Sequence, residues 1–144
     1  MSRVFVSEDT GAAVYVFADD HCPPHVHARH RGDGWIARVR FSYVSRALEV
    51  MSIAPVKNIP LQRVMNLLLD NIQERLSDCR YRWWVSNRTA CLTNEWALEL
   101  ADGTVKLLSK QTAGAKQIAD ACYEPTTGRL LVLFRDSTAK EVLT

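Results

Sequence analysis

The stretch His25-Val26-His27-Ala28-Arg29-His30-Arg31-Gly32-Asp33-Gly34-Trp35-Ile36-Ala37-Arg38-Val39-Arg40-Phe41 alternates polar and apolar residues on both sides of a glycine-rich break. Period-two alternation marks a strand with one face in a core, and Gly-Asp-Gly is turn chemistry, so two antiparallel strands are expected at 25–31 and 35–41. A two-residue loop at Gly32-Asp33 sets Arg31 opposite Gly34, His27 opposite Arg38 and His25 opposite Arg40. In that register His25, His27, Arg29, Arg38 and Arg40 share one face. Val26, Ala28, Trp35, Ala37, Val39 and Phe41 share the other. A three-residue loop would break the pattern, so the polar face depends on one turn.

Outward from this hairpin, Val4–Val6 and Ala12–Phe17 read as strands around the turn Glu8-Asp9-Thr10-Gly11, and Pro23-Pro24 holds the chain extended before His25. Ala47–Ile53 reads as a further strand. One long helix is expected from Asn58-Ile59-Pro60, with Asn58 as cap, to about Val85, because Leu61, Val64, Leu68, Ile72 and Leu76 recur at three or four residues. Its end, Arg80-Tyr81-Arg82-Trp83-Trp84, reads as core tryptophans with arginines at a helix C-terminus, ahead of a stacking patch for nucleic acid. Beyond Asn87 the pattern is all-β: Glu95–Leu100, Val105–Leu108, Gln117–Tyr123, Leu130–Phe134 and Ala139–Leu143. Two turns echo each other 34 residues apart, Leu100-Ala101-Asp102-Gly103-Thr104-Val105-Lys106 and Phe134-Arg135-Asp136-Ser137-Thr138-Ala139-Lys140. The echo suggests duplication of a small β unit.

The expected architecture is therefore α+β: an N-terminal antiparallel sheet with one long helix over residues 1–88, then a small β-meander unit over 89–144. The 144 residues contain no signal pattern and no apolar run long enough for a bilayer, so a cytoplasmic protein without membrane association is expected. The four cysteines are scattered and form no C-x-x-C pair, which signals neither a zinc ribbon nor a thioredoxin-type site. Charge is uneven. Residues 1–88 hold 12 Lys and Arg against 9 Asp and Glu, and eleven of the twelve cations are arginine, whose planar fork suits phosphate or carboxylate.

All four histidines, His21, His25, His27 and His30, fall within ten residues of this basic half. Imidazole exchanges protons near neutrality, and guanidinium groups balance charge on a phosphodiester, so His25 and His27 are candidate catalytic or recognition groups and Arg29, Arg38 and Arg40 candidate phosphate contacts. Asp20 and His21 are supporting candidates that could orient an imidazole. RNA cleavage needs no metal with such elements, because the 2′-hydroxyl is the nucleophile. A zinc site from His25, His27 and His21 or an Asp is the competing chemistry, ranked lower because five nearby arginines oppose a dication. No metal or other cofactor is expected.

The segment Asp20-His21-Cys22-Pro23-Pro24-His25-Val26-His27 resembles the D-H-x-P-P-H-x-H signature of a small bacterial domain family of unknown function. Val14–Phe17 before it and the helix around Leu61–Leu69, with Trp83 near its end, extend that resemblance over about residues 1–88. The region from Ile118 to Val142 resembles the β-meander of the family's habitual short partner, with Ser137 where the meander usually has glycine. Such gene pairs look like toxin–antitoxin modules. The resemblance implies a chain that joins both parts, and it supplies no catalytic residue.

The expectation is a toxin–antitoxin-type protein that binds RNA, with cleavage left open. The alternative is a non-enzymatic protein-binding module, an antitoxin or a mobile-element-encoded inhibitor, whose C-terminal β unit docks on a protein partner by strand addition. A homodimer is a further expectation.

Overall fold

The computed structural model describes residues 1–142, which divide into two compact units: residues 1–42 with 47–87, and residues 43–46 with those from 88 on. The first unit holds five strands, β1 (Ser2–Val6), β2 (Ala13–Val16), β3 (His25–His30), β4 (Trp35–Arg40) and β5 (Glu49–Ala54), paired antiparallel in chain order. Two helices follow, α1 (Gln62–Glu74) and α2 (Leu76–Asn87), with α2 packed on α1, β1 and β2. Val14, Val16, Val26, Ala28, Trp35, Ala37 and Val39 form the buried side of the sheet, and Leu68, Ile72, Leu76, Cys79 and Trp83 that of the helices.

The β3–β4 register places His25 opposite Arg40, His27 opposite Arg38 and His30 opposite Trp35. The loop, however, is the four-residue turn Arg31–Gly34, closed by the Gly34 amide donating to the His30 carbonyl at 2.8 Å. Arg31 and Gly34 are thus loop residues and not a strand pair. The four-residue loop is centred on the same Gly32-Asp33 pair as the two-residue loop, so every pairing beyond it is unchanged and every side chain keeps its face.

The expected fold class needs correction. The protein is mostly β, two five-stranded antiparallel sheets with only short helices of 13 and 12 residues, and the single long helix does not exist. Arg75 interrupts it at φ −111° and ψ 24°, where its amide donates to the Asn71 and Ile72 carbonyls. The apolar stripe Leu68, Ile72, Leu76 runs on across the break, so periodicity alone counts one helix where the backbone makes two. The start also differs: Val56–Asn58 is a 3-10 turn, and α1 begins at Gln62 without a side-chain cap. Trp83 and Arg80 are buried, and Arg80 Nε donates to the Ser42 carbonyl at 2.9 Å.

The second unit holds β6 (Trp96–Glu99), β7 (Val105–Leu108), β8 (Lys116–Glu124), β9 (Arg129–Phe134) and β10 (Ala139–Val142). Their order, β10-β9-β8-β6-β7, replaces the expected simple meander, because β6 pairs with β8 as well as with β7. Leu143, expected at the end of the last strand, lies outside the described residues. Ile118, Tyr123, Leu130, Val132 and Phe134 are buried, with Tyr43 edge-on to Tyr123 at 4.9 Å. Among the described residues no helix is long and apolar enough to cross a membrane.

Candidate functional site

After β2 the chain reverses at Asp19, whose φ of 56° lies in the left-handed region that Asp tolerates better than most residues. This brings Asp20 back over β3. The last residue of α2 fixes the bend: Asn87 Oδ1 accepts the Asp20 amide at 2.9 Å, and Asn87 Nδ2 donates to the Phe17 carbonyl at 3.1 Å. Phe17 in turn stands edge-on to the His27 ring at 4.4 Å. The Cys22–Pro23 peptide is cis, and the Pro23 carbonyl lies 2.8 Å from His25 Nδ1.

Asp20 is the centre of the cluster. Its Oδ2 lies 3.0 Å from His25 Nε2 and 3.2 Å from His27 Nε2, and its Oδ1 lies 3.2 Å from His21 Nδ1. The His25 and His27 ring centroids are 5.0 Å apart, and Trp83 sits against His25 at 5.4 Å. Exposure separates the histidines: the His25 side chain is 0% exposed, His27 18% and His21 70%. His30 turns to the opposite face, where its ring stacks on Trp35 at 5.3 Å.

Burial works to raise the Asp20 carboxyl, but the His27 hydrogen bond, the neighbouring His25 ring and the His21 amide outweigh it and hold the group below its ordinary value of 3.8. Burial pushes His27 down from 6.5, assisted by the neighbouring His25 ring and the positive field of Arg38 and opposed by its hydrogen bond to Asp20. The shift favours the neutral imidazole.

The arginines form a separate part of the same sheet face. Cross-strand pairing sets up a row, Tyr15 opposite His27, His27 opposite Arg38 and Arg38 opposite Ser52, with Arg38 Nε donating to Ser52 Oγ at 3.1 Å. Arg29 stands two residues along β3 from His27, about 7 Å away by strand rise. Arg40 is opposite Glu49, with 3.9 Å between their charged groups. The candidates thus fall into two groups: Asp20, His21, His25 and His27 converge, while Arg29, Arg38 and Arg40 spread over the neighbouring face.

Tyr15, Phe17, Asn87 and the central role of Asp20 are additions from the structure. The Tyr15 position is open to strand alternation once the β2–β3 register is known. Asn87 carries no signal, since it reaches the site from 67 residues away. No protein-family model, no curated protein and no solved structure matches the chain.

Proposed function

We propose that the chain binds single-stranded RNA through the outer face of β2 to β5, acting in the cytoplasm as part of a toxin–antitoxin-type module. The observation that carries this reading is the row Tyr15, His27, Arg38, Ser52, flanked by Arg29 and Arg40. Guanidinium forks pair with phosphate oxygens, and a half-buried tyrosine beside them offers a surface on which a base can stack. The D-H-x-P-P-H-x-H resemblance supports the module class.

Of the two histidines, only His27 reaches solvent, so it is the one that can touch RNA; burial favours its neutral form, which can accept a proton from a 2′-hydroxyl. His25, enclosed by Pro23 and Trp83, has no path to a substrate. Binding is therefore the core of the proposal, and cleavage would need a second acid beside His27.

Fluorescence anisotropy with a labelled single-stranded RNA tests the reading. The double variant Arg38→Ala, Arg40→Ala should bind more weakly and lower the log–log salt slope by about 1.4, at about 0.7 for each phosphate that is no longer neutralised. Unchanged affinity and slope would remove the arginine face from RNA binding.

The protein-binding alternative draws on a different observation. Leu131 and Leu133 are 53% and 44% exposed on the same side of β9, flanked by Cys122 and Asp120 on β8. A protein partner covering them would lose affinity on Leu131→Lys, whereas RNA binding would not change.

A further inference from the structure

We propose that Asp20, His25 and His27 form a binding site for one divalent transition-metal ion of the zinc type, independent of the RNA reading above. Three ligand atoms, Asp20 Oδ2, His25 Nε2 and His27 Nε2, lie within 4.8 Å of one another. Two of the separations, 3.0 and 3.2 Å, are close to the spacing of about 3.3 Å that follows from tetrahedral geometry with bonds of about 2.0 Å to nitrogen and oxygen.

The state of His25 is the second and independent observation. Its Nδ1 faces the Pro23 carbonyl, which can only accept, so Nδ1 carries the hydrogen and Nε2 the lone pair in the neutral ring. That Nε2 is buried and makes no hydrogen bond. It sits at ion-pairing distance from Asp20 Oδ2 without the alignment of a hydrogen bond, which would be expected if a proton joined the two atoms. Two acceptors held at 3.0 Å repel each other and leave a buried polar atom unsatisfied, at a cost; a cation between them turns the repulsion into coordination. The Nδ1–H to backbone carbonyl bond is also the usual outer-shell support of a metal-bound imidazole, because it fixes the tautomer and aims the other nitrogen.

Two of the five arginines that argue against a dication from the sequence have partners away from the site. Arg38 Nε is bound to Ser52, Arg40 faces Glu49, and the Asp20 carboxylate adds a negative charge at the centre of the site. Three protein ligands leave a fourth position for water or another oxygen donor, reached from the side where Asp20 and His27 are partly exposed.

The test uses the full chain purified without a polyhistidine tag, stripped with a chelator and titrated with Zn2+ against a chromophoric competitor, in the absence of RNA. One ion per chain is expected. His27→Gln and Asp20→Asn should each lower the affinity at least about tenfold, while His30→Gln should leave it unchanged. Circular dichroism checks that the variants fold. Co2+ added to the unaltered protein provides a readout that needs no variant: tetrahedral d–d bands without thiolate charge transfer. No binding, binding unaffected by His27→Gln, or a thiolate band would each overturn the site. Loss of RNA binding in the arginine variant would not bear on it.

Discussion

Asn71 Oδ1, on α1, accepts a 2.6 Å hydrogen bond from Ser7 Oγ at the end of β1, 64 residues earlier in the chain. The same amide takes the Asp9 backbone N–H at 3.2 Å and donates through Nδ2 to Asp9 Oδ2 at 2.7 Å. One side chain thus ties the first turn of the sheet to α1. Ser7 and Asn71 are two of the four buried polar or charged residues of the described chain.

Asn71→Ala should therefore destabilise the first unit by about 2–3 kcal/mol, because it leaves a buried hydroxyl and a backbone amide short of acceptors as well as removing packing. Urea unfolding followed by tryptophan fluorescence measures it, since three tryptophans, Trp35, Trp83 and Trp84, belong to this unit. A change below about 0.5 kcal/mol would mean that water replaces the amide without penalty.

What the sequence reveals and conceals follows from the range of the interactions involved. Strand alternation is local: Val26, Ala28, Ala37 and Val39 mark the buried face of β3 and β4 by themselves, and the register survives a wrong loop length because both loops are centred on Gly32-Asp33. The helix break at Arg75 is also local, yet the stripe through Ile72 and Leu76 does not register one residue leaving helical geometry. The pairing of β6 with β8 depends on Trp96 meeting Gln117, which no alternation pattern encodes. In the site, alternation correctly puts His25 and His27 on the Arg38 side, but it cannot show that Pro23 and Trp83 close over His25 or that Asp20 lies between both rings.

The carboxyl of Asp136 offers a measurement in the second unit. It is held down to about 2 by the Thr138 hydroxyl and backbone amide, with Lys116 adding to the effect. Because the folded value lies below the ordinary 3.8, protons bind the unfolded state more readily. The turn's contribution is present above pH 3.8 and is lost as pH falls toward 2. An NMR titration of the side-chain carbonyl carbon should find a midpoint near 2 in the native protein, moving up toward 3.8 in Thr138→Val. A native midpoint at the ordinary value would show that the Thr138 hydrogen bonds do not persist in solution.

The 34-residue echo between Leu100–Lys106 and Phe134–Lys140 is a structural repeat. In both turns an amide donates across the strand ends, Leu100 to the Thr104 carbonyl and Phe134 to the Thr138 carbonyl, each at 2.8 Å. Asp102 and Asp136 each accept the amide and hydroxyl of the threonine two residues on. The residues between, Gly103 at φ +86° and Ser137 at φ +70°, both occupy the left-handed region. A side chain there costs about 1–2 kcal/mol, whereas glycine gives back about 0.5–1 kcal/mol through the freedom of the unfolded chain. Ser137→Gly should therefore stabilise the second unit by roughly 0.5–1 kcal/mol, and Gly103→Ser should destabilise it by a similar amount, since nothing lies within 4 Å of a Cβ at Gly103 to add a clash. Thermal unfolding of the two single variants and the double exchange decides the matter: opposite shifts that cancel in the double variant are expected. If Ser137→Gly lowers the midpoint, the serine contributes a stabilising interaction that outweighs the backbone strain, and the two turns are not energetically equivalent.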